Sequence, residues 1–129
     1  MAEKDVIRTD KAPGPFQGAP YNQAIRIGDL VFVAGQLGIS LETSQLAGPA
    51  VAEQTEQIMK NLSAILEAAG SGLDKLVKTT VFLMDLGDFG GMNEVYAKHV
   101  GDRPPARSTF EVAKLPAGAL VEIEAIAHV

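Results

Sequence analysis

The chain has 129 residues, an apolar fraction of 47%, and eleven Lys and Arg against sixteen Asp and Glu, a net charge of −5. That composition can bury roughly two-thirds of the surface its unfolded chain exposes, and it excludes a disordered protein. Cysteine is absent, which excludes disulfides, thiolate nucleophiles, iron–sulfur clusters and zinc ribbons.

The negative charge, an aromatic content of 5% and the lack of any Trp or basic run argue against a nucleic-acid surface. His99 and His128 lie too far apart for a metal motif, so no metal is expected. No apolar run approaches the ~20 residues of a membrane helix. The charged residues 1–10 have no hydrophobic stretch of the kind a signal peptide needs. The expectation is one soluble domain over residues 1–129, located in the cytoplasm.

In chain order, residues 6–9 (VIRT) form a short strand candidate. Residues 12–20 (APGPFQGAP) alternate Pro and Gly too often for helix or central strand, and read as a stiff connection or a binding loop. Residues 24–27 and 30–34 are two strands joined by the turn signal Gly28-Asp29, a β-hairpin. The second of them is apolar on both faces, so both faces need a cover. Residues 51–69 repeat apolar side chains at three- and four-residue spacing and form a helix, with Glu53 and Glu56 in its early turns and Gly70 ending it.

Residues 76–84 (LVKTTVFLM) are a strand, and residues 89–100 a second helix with Met92, Val95, Tyr96 and Val100 on one side and Asp88 as its N-cap. Two further strands follow, residues 107–113 and 120–128, with Pro116-Ala117-Gly118 turning between them. The order β-β-β-α-β-α-β-β predicts an α+β domain, a mixed sheet with two helices on one face. Two helices cover one face only, so the other face is expected to pack on further copies of the chain.

Alternation along the last strand places Val121, Ile123, Ala125 and Ala127 on one face and Glu122, Glu124 and Ile126 on the other. The carboxylates read either as a solvent-facing edge or as a partly buried general base. Arg107 shares a face with Thr109 and Glu111. Entering from Pro104-Pro105, its guanidinium suits two-pronged capture of a carboxylate or phosphate, or an ion pair with Glu122, Glu124 or Asp102. Tyr21, after the stiff loop, can wall a pocket, donate a hydrogen bond or simply pack, and Asn93 reads as a surface or capping residue. No nucleophile–base triad is present.

Taken together, GAPYNQAIRIGDLVFVAGQLG at 18–38, EQTEQIMKNLSAILEAAGSGLDKLVKTTVFLMDLGDF at 53–89, MNEVYAKHVGDRPPARSTFEVAKLP at 92–116 and ALVEIEAIA at 119–127 resemble the Rid family, the YjgF-type reactive intermediate deaminases. The likeness is to the imine-deaminating RidA subgroup and covers nearly the whole chain. It implies a chorismate-mutase-like fold and a homotrimer with its sites in clefts between subunits. It also implies hydrolysis of 2-imino acids and their enamines, released by pyridoxal-phosphate enzymes, to 2-oxo acids and ammonia, with no cofactor.

By resemblance Arg107 would bind the substrate carboxylate, Glu122 would position or deprotonate water, and Tyr21 would line the pocket or orient that water. Asn93 would support the site, and the backbone at Gly35 would approach the ligand. The family pattern often has serine before this glycine and cysteine after the Arg-Ser pair. Here Ala34 and Thr109 stand in those places, and the missing hydroxyl at 34 bears on substrate range. Two other functions suit the same residues: a non-catalytic 2-oxo acid sensor and an RNA-cleaving translation inhibitor. Charge and composition weigh against the latter.

Overall fold

A computed structural model describes residues 3–129. Six strands, β1 (Asp5–Ile7), β2 (Ala24–Ile27), β3 (Leu30–Leu37), β4 (Leu76–Leu83), β5 (Ala106–Glu111) and β6 (Val121–His128), form one sheet in the order β1-β2-β3-β6-β4-β5. All neighbours pair antiparallel except β4 with β5. That parallel pair needs a crossover, which helix α2 (Phe89–Val100) supplies, while α1 (Val51–Ala68) carries the chain from β3 to β4. The sheet is therefore mixed, as expected, and the fold is the α+β, chorismate-mutase-like one.

Helix α1 buries Ile58, Met59, Leu62, Ile65 and Leu66 completely. Each such side chain contributes on the order of 1.5–3 kcal/mol. They meet Val31, Val81, Ile123 and Ala127 from the sheet and Met92 and Tyr96 from α2, so the core lies between the sheet and the helices. On the outer surface of this layer the His99 imidazole contacts a Glu56 carboxylate oxygen at 2.9 Å and joins the two helices.

The opposite face carries no helix. Val6, Ile27, Leu30, Phe32 and Phe110 alternate onto it and are each 38–53% exposed, a large apolar surface for one protein.

Several local expectations are corrected. The first strand starts and ends earlier, at Asp5–Ile7, because Thr9 leaves the ladder to bond the Gln23 side chain. The third runs on to Leu37 through a bulge between Val33 and Gln36. The fifth ends at Glu111, short of residue 113. The proline-rich loop holds one 3-10 turn, Phe16–Gly18. Asp88 does not cap α2: its side chain makes no cap bond, and the carboxylate that caps here is Asp85, which accepts from the Gly87 N–H at 2.8 Å. Chain direction explains the shift, since a 3-10 turn at Leu86–Asp88 precedes the helix and takes the cap one turn upstream. No helix among the described residues is long and apolar enough to cross a membrane.

Candidate functional site

The site grows from the bulge in β3. Three steps from Val33 to Gln36 face two steps from Ala125 to Ile123 on β6, so Ala34 and Gly35 hold one residue too many for the ladder. The bulge turns their backbone toward Glu122, whose carboxylate lies against Gly35 where a side chain would otherwise be. Tyr21, Ala34, Gly35 and Glu122 line one open cleft of about 330 Å³, with Phe16, Ala19, Leu37 and Pro116 as apolar walls.

Three buried amides hold those walls. The Gln23 side chain, 3% exposed, donates to the carbonyls of Thr9, Ala12 and Pro13 and accepts from the Thr9 N–H, which fixes the proline-rich loop carrying Phe16. Asn61 of α1 donates to the carbonyls of Leu37 and Ile39 at 3.2 and 3.1 Å. Gln54 accepts from the Leu120 N–H at 2.8 Å and so anchors the start of β6, one residue before the strand that carries Glu122. Tyr21 bends back, its phenol oxygen accepting from the Phe16 N–H. The turns at Phe16–Gly18 and Pro116–Gly118 both place a non-glycine residue in the left-handed region, Gln17 at φ 54° and Ala117 at φ 59°. Backbone strain of this kind collects at ligand sites.

Glu122 is half-buried. Desolvation, with the like charge of Glu124 on the same face adding to it, raises its pKa above the ordinary carboxylate value. A carboxylate so placed is a better proton acceptor than one in water.

Arg107 lies elsewhere. Register pairs it with Thr79 on β4, whereas Glu122 pairs with Phe82, three residues along the same strand. An odd step in a strand reverses the face, so one protomer displays Arg107 on the helix side of its sheet and Glu122 on the bare side. The guanidinium sits over the rings of Tyr96 and Phe89, its carbon 4.9 and 5.4 Å from their centroids, and its Nη1 donates to the Met92 sulfur at 4.0 Å. Among the described residues no carboxylate lies within ion-pair distance of it; the pairs expected with Glu122, Glu124 or Asp102 do not form. Thr109, two residues along β5, shares the face of Arg107. Asn93 is half-buried, one helical turn from both Phe89 and Tyr96.

The expected site residues thus fall into two groups. Tyr21, Ala34, Gly35 and Glu122 line one cleft, while Arg107 packs on α2, Thr109 shares its strand face and Asn93 stands on that helix. Sequence reasoning passed over Phe89, Met92 and Tyr96 as a cage because their helical spacing looks the same as core spacing. The signal that finds them is the Thr79–Arg107 register, which aims the guanidinium at α2. No group of three His, Asp or Glu side chains suited to a metal occurs among the described residues.

Residues 9–129 match the protein family described as Endoribonuclease L-PSP. A RutC family protein of Pyrococcus abyssi is 49% identical over 125 residues, covering 97% of each chain. The 2-iminobutanoate/2-iminopropanoate deaminase of Mus musculus is 44% identical over 124 residues, 96% of this chain and 90% of that one. Among solved structures, a putative endoribonuclease L-PSP from Entamoeba histolytica superposes with a TM-score of 0.93 at 43% identity, covering 98% of this chain and all of that one. Fold and likeness agree on the class, an α+β protein of the L-PSP kind, and the structure adds a carboxylate cleft at a β-bulge. The chain belongs to the L-PSP family, the RidA/YjgF-type proteins whose relatives include imine deaminases.

Proposed function

We propose that this protein is a cytoplasmic homotrimer that hydrolyses 2-imino acids, such as 2-iminobutanoate and 2-iminopropanoate, and their enamines to 2-oxo acids and ammonia. One observation carries the proposal. A guanidinium with no acid partner among the described residues stands on one face of the sheet, and a desolvated carboxylate in an apolar cleft stands on the other. In the proposed trimer a second copy would meet the bare apolar face with its edge strand β5, setting its Arg107 at the Glu122 cleft of the first. The names of close relatives agree with that chemistry.

In the assembled site Arg107 grips the substrate carboxylate with two parallel N–H donors. That places the C=N carbon before Glu122, with Tyr21 and the Gly35 backbone at the cleft wall. Glu122 takes a proton from a water as its oxygen bonds to the carbon. Glu122 returns that proton to the nitrogen of the resulting carbinolamine, the C–N bond breaks to release ammonia, and the freed Glu122 carboxylate takes the hydroxyl proton as the carbonyl forms. A protonated imine is a strong electrophile, so positioning and general-base help worth about 10²–10⁴-fold suffice. Thr109 and Asn93 border the carboxylate end, and Ala34 the side-chain end.

The test supplies 2-iminobutanoate from a pyridoxal-phosphate dehydratase and follows 2-oxobutanoate with and without this protein. Catalysis accelerates its appearance in proportion to protein added. Saturable 2-oxobutanoate binding without acceleration would instead identify a sensor. The RNA-cleaving reading has no pair of histidines to work with among the described residues: His99 contacts Glu56 on the helices, and His128 sits at the end of β6.

A further inference from the structure

The Arg107 cage does more than fill space. Its three members differ in what fixes them. Met92 is fully buried and Tyr96 is 5% exposed, whereas Phe89 is 42% exposed. Tyr96 is also tied at its far end, where its hydroxyl meets the Thr79 hydroxyl at 2.7 Å inside the core. Thr79 is wholly buried and is the register partner of Arg107 itself. The ring is therefore held by α2 at one end and by the strand beside Arg107 at the other.

Charge explains why rings are used. A carboxylate in this place would hold the guanidinium but neutralise it. An aromatic face holds a cation through its quadrupole and leaves the net charge for an incoming anion. Burial raises the Tyr96 pKa, which keeps the phenol neutral.

We propose that Tyr96, locked by Thr79, is a positioning residue that sets the direction of the Arg107 guanidinium, with Phe89 as the outer wall of the same cage. The role rests on the reading of Arg107 as the carboxylate anchor. It concerns binding shared by ground and transition states, so its loss raises KM and leaves kcat nearly unchanged.

The experiment measures 2-oxobutanoate binding by calorimetry, imine-hydrolysis kinetics, and the NMR shift of the Arg107 Nε–H, using wild type, Tyr96→Phe, Tyr96→Leu, Phe89→Leu and Arg107→Ala. In wild type the Nε–H resonance is displaced by the ring current; Tyr96→Phe keeps the ring but loses the Thr79 bond, so the displacement shrinks and binding weakens by about threefold. Tyr96→Leu loses that displacement and binds ~3- to 30-fold more weakly, with KM rising in step. Phe89→Leu, at an exposed position that keeps the fold intact, weakens binding by a smaller factor in the same direction. Binding by both leucine variants equal to wild type, while Arg107→Ala abolishes it, overturns the positioning role and leaves the anchor reading standing. A wild-type protein that does not bind 2-oxobutanoate defeats the anchor reading and the positioning role together.

Discussion

Gly35 and Glu122 share one space. A Cβ built on Gly35 would fall on Oε2 of Glu122 and lie 2.9 Å from its Cδ. The β3 bulge and the strand beside it are fitted so that the carboxylate occupies the missing side chain. The atom displaced by any substitution is the tip of a flexible chain, not backbone.

Gly35→Ala is therefore expected to fold normally while pushing the Glu122 carboxylate out of place, with turnover falling by ~10-fold or more. Gly38→Ala makes the contrast. Its Cβ would meet the backbone of α1, 2.5 Å from the Gln54 carbonyl oxygen and 2.8 Å from its Cα. That contact cannot yield without parting β3 from α1, so it is expected to destabilise by about 1–3 kcal/mol. Thermal unfolding and turnover measured on both variants separate the two effects.

Arg107→Lys keeps the charge and loses the planar fork. Turnover at low substrate is expected to drop by ~10²-fold or more, and Arg107→Ala to be inactive, while the oligomer persists in both. Sizing chromatography alongside steady-state kinetics checks this.

The raised pKa of Glu122 has two consequences of opposite sign. As a base it must be ionised, so the acid limb of the rate profile lies above the usual carboxylate range. For stability, proton uptake is easier in the folded state than in the unfolded one. The favourable contribution is complete below the unfolded carboxylate pKa and is lost as pH rises through the folded value. Glu122→Gln should thus melt a few degrees higher than wild type near neutral pH, and the gap should close in acid. A pH series of melting temperatures, read beside the pH–rate profile, tests both limbs.

Phe32 and Leu30 alternate onto the bare sheet face. Phe32→Glu would place a charge where another copy is proposed to sit, and the loss of a buried phenylalanine against a neighbour costs about 3–5 kcal/mol. Analytical ultracentrifugation should find a monomer, folded by circular dichroism and without imine-hydrolysing activity.

Much of this was legible in the sequence, because the signals were local. The helix spacing of Ile58, Leu62, Ile65 and Leu66 and the alternation of Val121, Ile123 and Ala125 each require only near neighbours. The Gly28 turn was legible for the same reason: it adopts φ 57°, which favours glycine. What was hidden depends on register. Nothing local to Arg107 says that it pairs with Thr79 and turns to α2, nor that Glu122 pairs with Phe82 and turns away. Gln23, Gln54 and Asn61 look like ordinary polar residues in the sequence, and only the fold makes them the supports of the cleft. The Asp88 cap failed because an extra 3-10 turn, invisible in composition, moved the capping role to Asp85.

Opposite faces for Arg107 and Glu122 lead to one decisive measurement. Arg107→Ala and Glu122→Gln chains, each inactive alone, are unfolded together in equal amounts and refolded as mixed assemblies. If every site takes its arginine from one copy and its carboxylate from the next, about one quarter of the sites regain both groups and activity returns to about that fraction of wild type. A mixture of proven mixed composition that stays as inactive as its parents would contradict the account.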